Sequence, residues 1–251
     1  MRSPPIEAAC AFRFSLDAAG RSGAENMAID AELLDRADCT GTGFLRLYRF
    51  DPPCLSLGRN EPSARYDHTE IARRGLDVVR RPTGGRAVWH EHEVTYAVAA
   101  PLAAFGSLRN AYHTIHERIA AALRSLGADA TLAPHQPPPS GRVDQPASCF
   151  ATPVGGEVLV AGRKLVGSAQ VRKRSAFLQH GSILLDGSQE VVTAISRKPQ
   201  AASAETTLAR ALGRPVTFEE VADAIVAAWG DEVTSTTLLS HLAPLGIGVK
   251  S

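Results

Sequence analysis

The sequence predicts one large domain, or one domain with a small appendage, in which capped helices alternate with two antiparallel strand meanders. Helix-start signatures recur at Ser22 with Glu25, Asp67 with Glu70 and Thr217 with Glu220. Segments of alternating polarity bounded by glycine and proline supply the strands. No internal repeat and no long linker divides the 251 residues.

In chain order, Ala11 to Phe14 reads as a first strand. Ser22 then opens a helix running to about Ala37, with Met27, Ala31 and Leu34 on one face. Asn26 and Asp30 lie one turn apart on it, a spacing that could aim polar groups toward a site, with solvated surface the commoner case. Phe44 to Phe50 alternates Leu45 and Leu47 with Arg46 and Tyr48, the period of a half-buried strand, and Asp51-Pro52-Pro53 ends it. Cys54 to Leu57 resumes as strand, and a short helix capped by Asp67 closes at Gly75. Leu76 to Val79, the turn Pro82-Thr83-Gly84-Gly85, and the segment through Tyr96 to Ala99 follow as strand, glycine turn, strand. Ser107 caps a long helix whose apolar stripe includes Tyr112, Ile115, Ile119 and Leu126, leaving His113 and His116 off the stripe and Gly127 as its stop. Pro134 to Pro146 reads as irregular loop. Beyond it come a hairpin turning at Ala161-Gly162, a strand from Ala176 to Leu185, and a helix with Phe218, Val221, Ile225 and Trp229 on one side. Residues 12–230 form the expected domain, with 1–11 and 231–251 peripheral.

Composition excludes several classes. At 44% hydrophobic and 21% charged the chain is that of an ordinary globular protein, and a net charge of +1 provides no basic field for nucleic acid. No apolar run approaches the roughly eighteen residues of a membrane span, so no membrane partner is expected and the expected address is cytoplasmic. Cys10, Cys39, Cys54 and Cys149 form no C-x-x-C pair, which suggests neither a zinc knuckle nor a disulfide framework.

Three stretches carry chemistry. Arg80-Arg81-Pro82-Thr83-Gly84-Gly85-Arg86-Ala87-Val88-Trp89-His90 puts glycine amides beside guanidinium groups, which suits an anion or a polarised carbonyl as well as an ordinary hairpin with solvated arginines. Ser148-Cys149-Phe150 ends the proline-rich loop. A free thiol has a pKa near 8.5, and an adjacent ammonium favours the thiolate. Lys164 is the natural source of that ammonium if its hairpin folds back under the loop, and it would then shuttle protons. Gly167-Ser168-Ala169 supplies small residues past which a substrate can approach the backbone. On a strand, His90 and His92 would share a face, but no third or fourth metal ligand stands at a familiar spacing, so His90 is read as a hydrogen-bonding site residue and no metal is expected.

Those stretches, with Glu93-Val94-Thr95-Tyr96, Gly162-Arg163-Lys164-Leu165-Val166-Gly167-Ser168-Ala169-Gln170 and Gln179-His180-Gly181-Ser182-Ile183, resemble the biotin/lipoate protein ligase superfamily. Within it they are most similar to the cysteine-dependent octanoyltransferases of the LipM type, from about Ala24 through Gly213. The resemblance implies an α+β fold, with a larger mixed or antiparallel sheet flanked by helices plus a smaller sheet. It implies octanoyl transfer from acyl carrier protein, through a Cys149 thioester favoured by Lys164, to the target lysine of a lipoyl domain, in a 2-oxoacid dehydrogenase or the glycine cleavage H protein. No cofactor is implied. Arg81, Thr83, Gly84, Gly85, Arg86 and His90, with Gly167, Ser168 and Ala169, would line the acyl tunnel and hold the thioester oxygen. ATP-dependent lipoate ligases and lipoyl-domain amidotransferases share the scaffold; Cys149 and the Glu93-x-Thr95-Tyr96 segment favour the transferase. A non-catalytic acyl-binding module would not need both Cys149 and Lys164. Trp89 departs from the aliphatic residue expected at its position and leaves acyl length open.

Overall fold

A six-stranded sheet carries the molecule, in the spatial order β10-β11-β6-β2-β1-β12. The computed structural model describes residues 11–134, 155–198 and 205–235. Its strands are β1 (Phe12–Arg21), β2 (Gly43–Phe50), β3 (Cys54–Leu57), β4 (Asp77–Arg80), β5 (Val88–His90), β6 (Glu93–Pro101), β7 (Ala130–Leu132), β8 (Val158–Val160), β9 (Arg163–Lys164), β10 (Val166–Lys173), β11 (Ala176–Leu184) and β12 (Val233–Ser235). The helices are α1 (Gly23–Thr40), α2 (His68–Arg73), α3 (Leu108–Ser125), α4 (Glu190–Ala194), α5 (Leu208–Leu212) and α6 (Phe218–Trp229). β1 runs parallel to β2 and β12, whereas β2, β6, β11 and β10 are successively antiparallel. The large sheet is therefore mixed and the architecture α+β, with two smaller sheets, β4-β3-β5 and β7-β8-β9.

Helices cover both faces of the large sheet. α1 starts in a complete capping box, the Ser22 hydroxyl accepting from the Glu25 amide while the Glu25 carboxylate accepts from the Ser22 amide. Its Met27, Leu33, Leu34 and Ala37 pack on Phe44, Tyr48, Ala97 and Ala99. Residues of opposite parity, Leu45, Leu47, Tyr96 and Val98, meet α3 and α6 on the other side. Ile115 and Ile119 of α3 are fully buried there, and truncating either to alanine would cost about 2–5 kcal/mol.

That double covering corrects two expectations. β2 is buried on both faces rather than half-buried, and Arg46 is wholly enclosed. Asn26 and Asp30 are not solvated: each is 0% exposed, on the inner face of α1 against Arg46. The Arg46 guanidinium donates to Asn26 Oδ1 at 2.6 Å, Asp30 Oδ1 at 3.1 Å and Asp17 Oδ2 at 3.3 Å. A buried charge needs such partners.

The glycine-turn region also differs. β4 and β5 do not pair with each other; they flank β3, β4 parallel and β5 antiparallel to it. The turn crosses the end of β3 and packs on Gly58, where a Cβ would lie 2.0 Å from the Gly85 carbonyl oxygen. β5 ends at His90, so His92 lies in a turn and is exposed while His90 is buried. The β8–β9 hairpin turns as expected at Ala161 (φ 50°) and Gly162 (φ 73°), the two left-handed positions a tight two-residue hairpin requires. After Gly230 the chain still contributes, adding β12 to the sheet edge.

Candidate active site

Where β5, β6, β10 and β11 converge with β3, a narrow pocket opens, with about 30 Å³ of room. Arg81, His90, Gly167, Ser168 and Ala169 line it. Thr83, Gly84, Gly85 and Arg86 are not on its wall; the first three form the turn behind it. Trp89 packs into the small β3-centred core, with its Nε1 donating to Glu91, and faces away from the pocket.

Arg81 holds that turn. Its Nε and Nη2 donate to the Gly84 carbonyl at 3.2 and 2.9 Å, and Nη2 also to the Arg86 carbonyl at 2.6 Å. Nη1 donates to the carbonyl and hydroxyl oxygens of Ser56 at 3.0 and 3.1 Å. Arg80 does the same for the preceding turn, donating to the carbonyls of Gly58, Arg59 and Glu61. Both guanidinium groups are thus aimed at main-chain dipoles.

Two carboxylate–histidine–hydroxyl relays brace the pocket. His90 Nδ1 lies 2.6 Å from Glu93 Oε1, and its Nε2 lies 2.7 Å from Ser56 Oγ. A carboxylate only accepts, so Nδ1 carries the proton and Nε2 accepts from the serine. The ring stacks on Phe50 with centroids 4.2 Å apart. His180 repeats the arrangement, with Nδ1 at 2.8 Å from Asp30 Oδ2 and Nε2 at 2.6 Å from Thr83 Oγ1. Thr83 is thereby tied to the core beneath α1. Gly181 admits no side chain, since a Cβ would lie 2.4 Å from Ser168 Oγ and 2.5 Å from the Gly167 carbonyl.

On the far side of Ser168 a wider, open groove of about 450 Å³ begins, bounded by Arg109, Tyr112, His113 and Gly155–Glu157. Lys164 lies close by, 1% exposed, with Nζ 2.6 Å from Glu157 Oε1. Cys149, with Ser148 and Phe150, lies outside the described residues, as does Cys10. Of the described thiols, Cys39 is exposed and Cys54 is buried. Burial, reinforced by the Asp77 carboxylate, pushes the Cys54 thiol far up and makes it a poor nucleophile. Among the described residues no group of three or more His, Cys, Asp or Glu is arranged to hold a metal, and no helix is long and apolar enough to cross a membrane.

Sequence reasoning missed Glu157, His116 and His180. Glu157 was legible in principle, because the register placing Leu159 opposite Lys164 puts Glu157 on the diagonal. His116 is fully buried despite lying off the apolar stripe. Its signal is tertiary: both ring nitrogens find partners on other elements.

Residues 22–230 match the family described as the lipoyl protein ligase A/B catalytic domain. The octanoyltransferase LipM of Kyrpidia tusciae is 43% identical over 189 residues, covering 71% of this chain and 68% of that protein. That of Moorella thermoacetica is 40% identical over 203 residues, covering 78% and 73%. A lipoate-protein ligase A bound with ATP superposes with a TM-score of 0.73 at 18% identity, covering 90% of this chain and 87% of that one, a likeness of fold. With the pocket and the Glu157–Lys164 pair in place on that fold, the chain belongs to the lipoyl protein ligase A/B catalytic domain family, among its LipM octanoyltransferases.

Proposed function

We propose that this protein moves an octanoyl group from acyl carrier protein to the target lysine of a lipoyl domain, through a thioester on Cys149. The observation that carries the reading is the buried Lys164 ammonium, held 2.6 Å from Glu157 on the hairpin that follows the Cys149 segment. An ammonium beside a thiol favours the thiolate. The Cys149 thiolate attacks the donor's carbonyl carbon, the carbon–sulfur bond to the carrier breaks, and Lys164 gives the departing sulfur its proton. In the second half the acceptor amine attacks the Cys149 thioester, its surplus proton passes to Lys164, and Cys149 leaves as thiolate. The 2-oxoacid dehydrogenases and the glycine cleavage H protein supply suitable lipoyl-type acceptors.

The pocket lining supports the same reading: Met27, Phe50, Val88, Gly167 and Ala169 bring apolar and small groups beside Arg81, His90 and Ser168, with Thr83, Gly84, Gly85 and Arg86 in the adjoining turn. Fixed donors near the thioester oxygen would lower both barriers.

Intact-mass analysis after incubation with octanoyl carrier protein tests the proposal. The expected product is one hydroxylamine-labile octanoyl adduct, lost in Cys149→Ala. No adduct, or a labile adduct that survives Cys149→Ala, overturns it. If ATP with free octanoate modifies a lipoyl domain while octanoyl carrier protein does not, the chain is a ligase.

A further inference from the structure

His116 stands in the middle of α3, 0% exposed, and no step above uses it. A buried imidazole is costly unless both nitrogens are hydrogen-bonded, and both are. Nδ1 lies 2.7 Å from the Gly156 carbonyl, which only accepts, so Nδ1 bears the proton. Nε2 is then an acceptor, facing Ser168 Oγ at 2.8 Å and Tyr96 OH at 3.2 Å. Tyr96 OH in turn lies 2.6 Å from Ser168 Oγ and accepts from the Gln179 amide at 2.9 Å. With Tyr96 donating to Ser168 and Ser168 to His116, the bonds run in one direction, from Gln179 through Tyr96, Ser168 and His116 to the Gly156 carbonyl.

The two ends of this chain of bonds belong to different parts of the site. Ser168 forms the wall shared by the pocket and the groove. Gly156 immediately precedes Glu157, whose carboxylate holds Lys164. We infer that His116 is a positioning residue that keeps the acyl pocket and the Glu157–Lys164 pair in register, its Nε2 serving the first and its Nδ1 the second. This rests on the transfer reading above. The groups facing the ring are Tyr112 and His113 on α3, Tyr96 on β6, Lys164 on β9 and Glu157 ahead of β8. Burial, with the nearby Lys164 charge, pushes the imidazole down to about 4 against the Gly156 bond, so it stays neutral at assay pH.

Two conservative variants separate the two jobs. In His116→Asn the amide N–H stands where Nδ1–H stood, keeping Gly156 and losing Ser168. The KM for octanoyl carrier protein should rise roughly tenfold and the preference for eight-carbon over ten-carbon donors should narrow, with kcat and its pH midpoint within about twofold and a few tenths of a unit. In His116→Gln the side-chain amide stands near Nε2, keeping Ser168 and losing Gly156. There kcat should fall roughly tenfold, and the acidic limb of its pH profile should move up by about one unit toward the free-thiol value, with KM little changed. Ser168→Ala, which leaves α3 untouched, should reproduce the Asn pattern and keeps the idea testable if either histidine variant fails to fold. Losses of KM and kcat together and alike in the variants, or no loss, overturn the inference alone. A wild-type protein that forms no labile adduct on Cys149 overturns the transfer reading and this inference with it.

Discussion

Arg81 and Lys164 are both buried cations carried by glycine-containing motifs, yet their bonds go to different kinds of partner. Arg81 spends its fork on the carbonyls of Gly84, Arg86 and Ser56, whereas Lys164 faces the Glu157 carboxylate. A planar guanidinium that stays protonated and is spread over several dipoles is suited to fixing a shape; a compact ammonium beside a carboxylate can exchange a proton. On the proposed mechanism the long glycine motif frames the site and the shorter hairpin motif carries the acid–base group. A prominent motif would then mark the family without marking the reacting atoms.

The largest expected effect breaks this comparison directly. Lys164→Met should lower octanoyl transfer by about a hundredfold or more, the range of a lost acid–base group. It leaves Glu157 buried without its cation, so Lys164→Met with Glu157→Gln should recover stability but not rate. Arg81→Lys should do the reverse, costing about 2–3 kcal/mol in urea unfolding because three ammonium donors cannot reproduce the fork, with the chemical step in single-turnover assays largely kept in the folded fraction. Equal rate losses in the two variants at matched stability would erase the distinction between frame and chemistry.

A glycine pair sharpens it. Gly181→Ala places a methyl group against the Gly167 carbonyl and the Ser168 hydroxyl and should cost about 3 kcal/mol, at the upper end for overpacking. Gly84→Ala meets nothing within 4 Å and should change stability by less than about 0.5 kcal/mol. Thermal or urea unfolding of both variants reads the contrast. A large loss in Gly84→Ala would mean that the turn is packed more tightly than the backbone geometry indicates.

Acid sensitivity should also map to one region. His116 has its pKa lowered to about 4 in the folded protein, below the ordinary 6.5 of an imidazole. Between those values the unfolded chain binds a proton that the folded chain does not. Stability is thus fully present above pH 6.5 and falls as the pH is lowered toward 4, by about 3 kcal/mol from this group. His116→Asn should flatten that slope in urea midpoints measured from pH 7 to 4.5. An unchanged slope would assign the acid sensitivity to other groups.

How much of this was legible depended on whether the signal was local. The caps at Ser22, Asp67, Ser107 and Thr217 all form, because a cap is decided within four residues. The Ala161-Gly162 turn is equally local. Arg46, Asn26 and Asp30 were misread because their burial depends on α1 lying over a strand already covered by α3 and α6 on its other face. The strand, glycine turn, strand reading failed to see β3 between β4 and β5, since that pairing links segments distant in sequence. In the site, the ordered motifs carried the family and named the residues of one pocket wall, while the histidine relays stayed hidden because each joins three separate elements.

The smallest expected effect concerns the carrier. Arg163, Arg172, Lys173 and Arg174 lie close together in the sequence, a basic group that could steer an acidic partner. The structure divides them. Arg163 donates to the Glu205 carbonyl at 3.0 and 2.8 Å, and Lys173 pairs with Asp35, so neither offers its full charge to an incoming protein. Arg172 and Arg174 are exposed at the β10–β11 end, Arg172 bonded only to the Arg174 carbonyl among the contacts described. Replacing both with glutamine should lower kcat/KM for octanoyl carrier protein by about two- to threefold at low salt and by less at high salt, because screening removes long-range attraction from the wild type as well. The Arg163→Gln variant should show a weaker salt dependence of its loss, since its guanidinium serves the fold. Equal salt slopes in the wild type and the Arg172/Arg174 double variant would place carrier steering elsewhere on the surface.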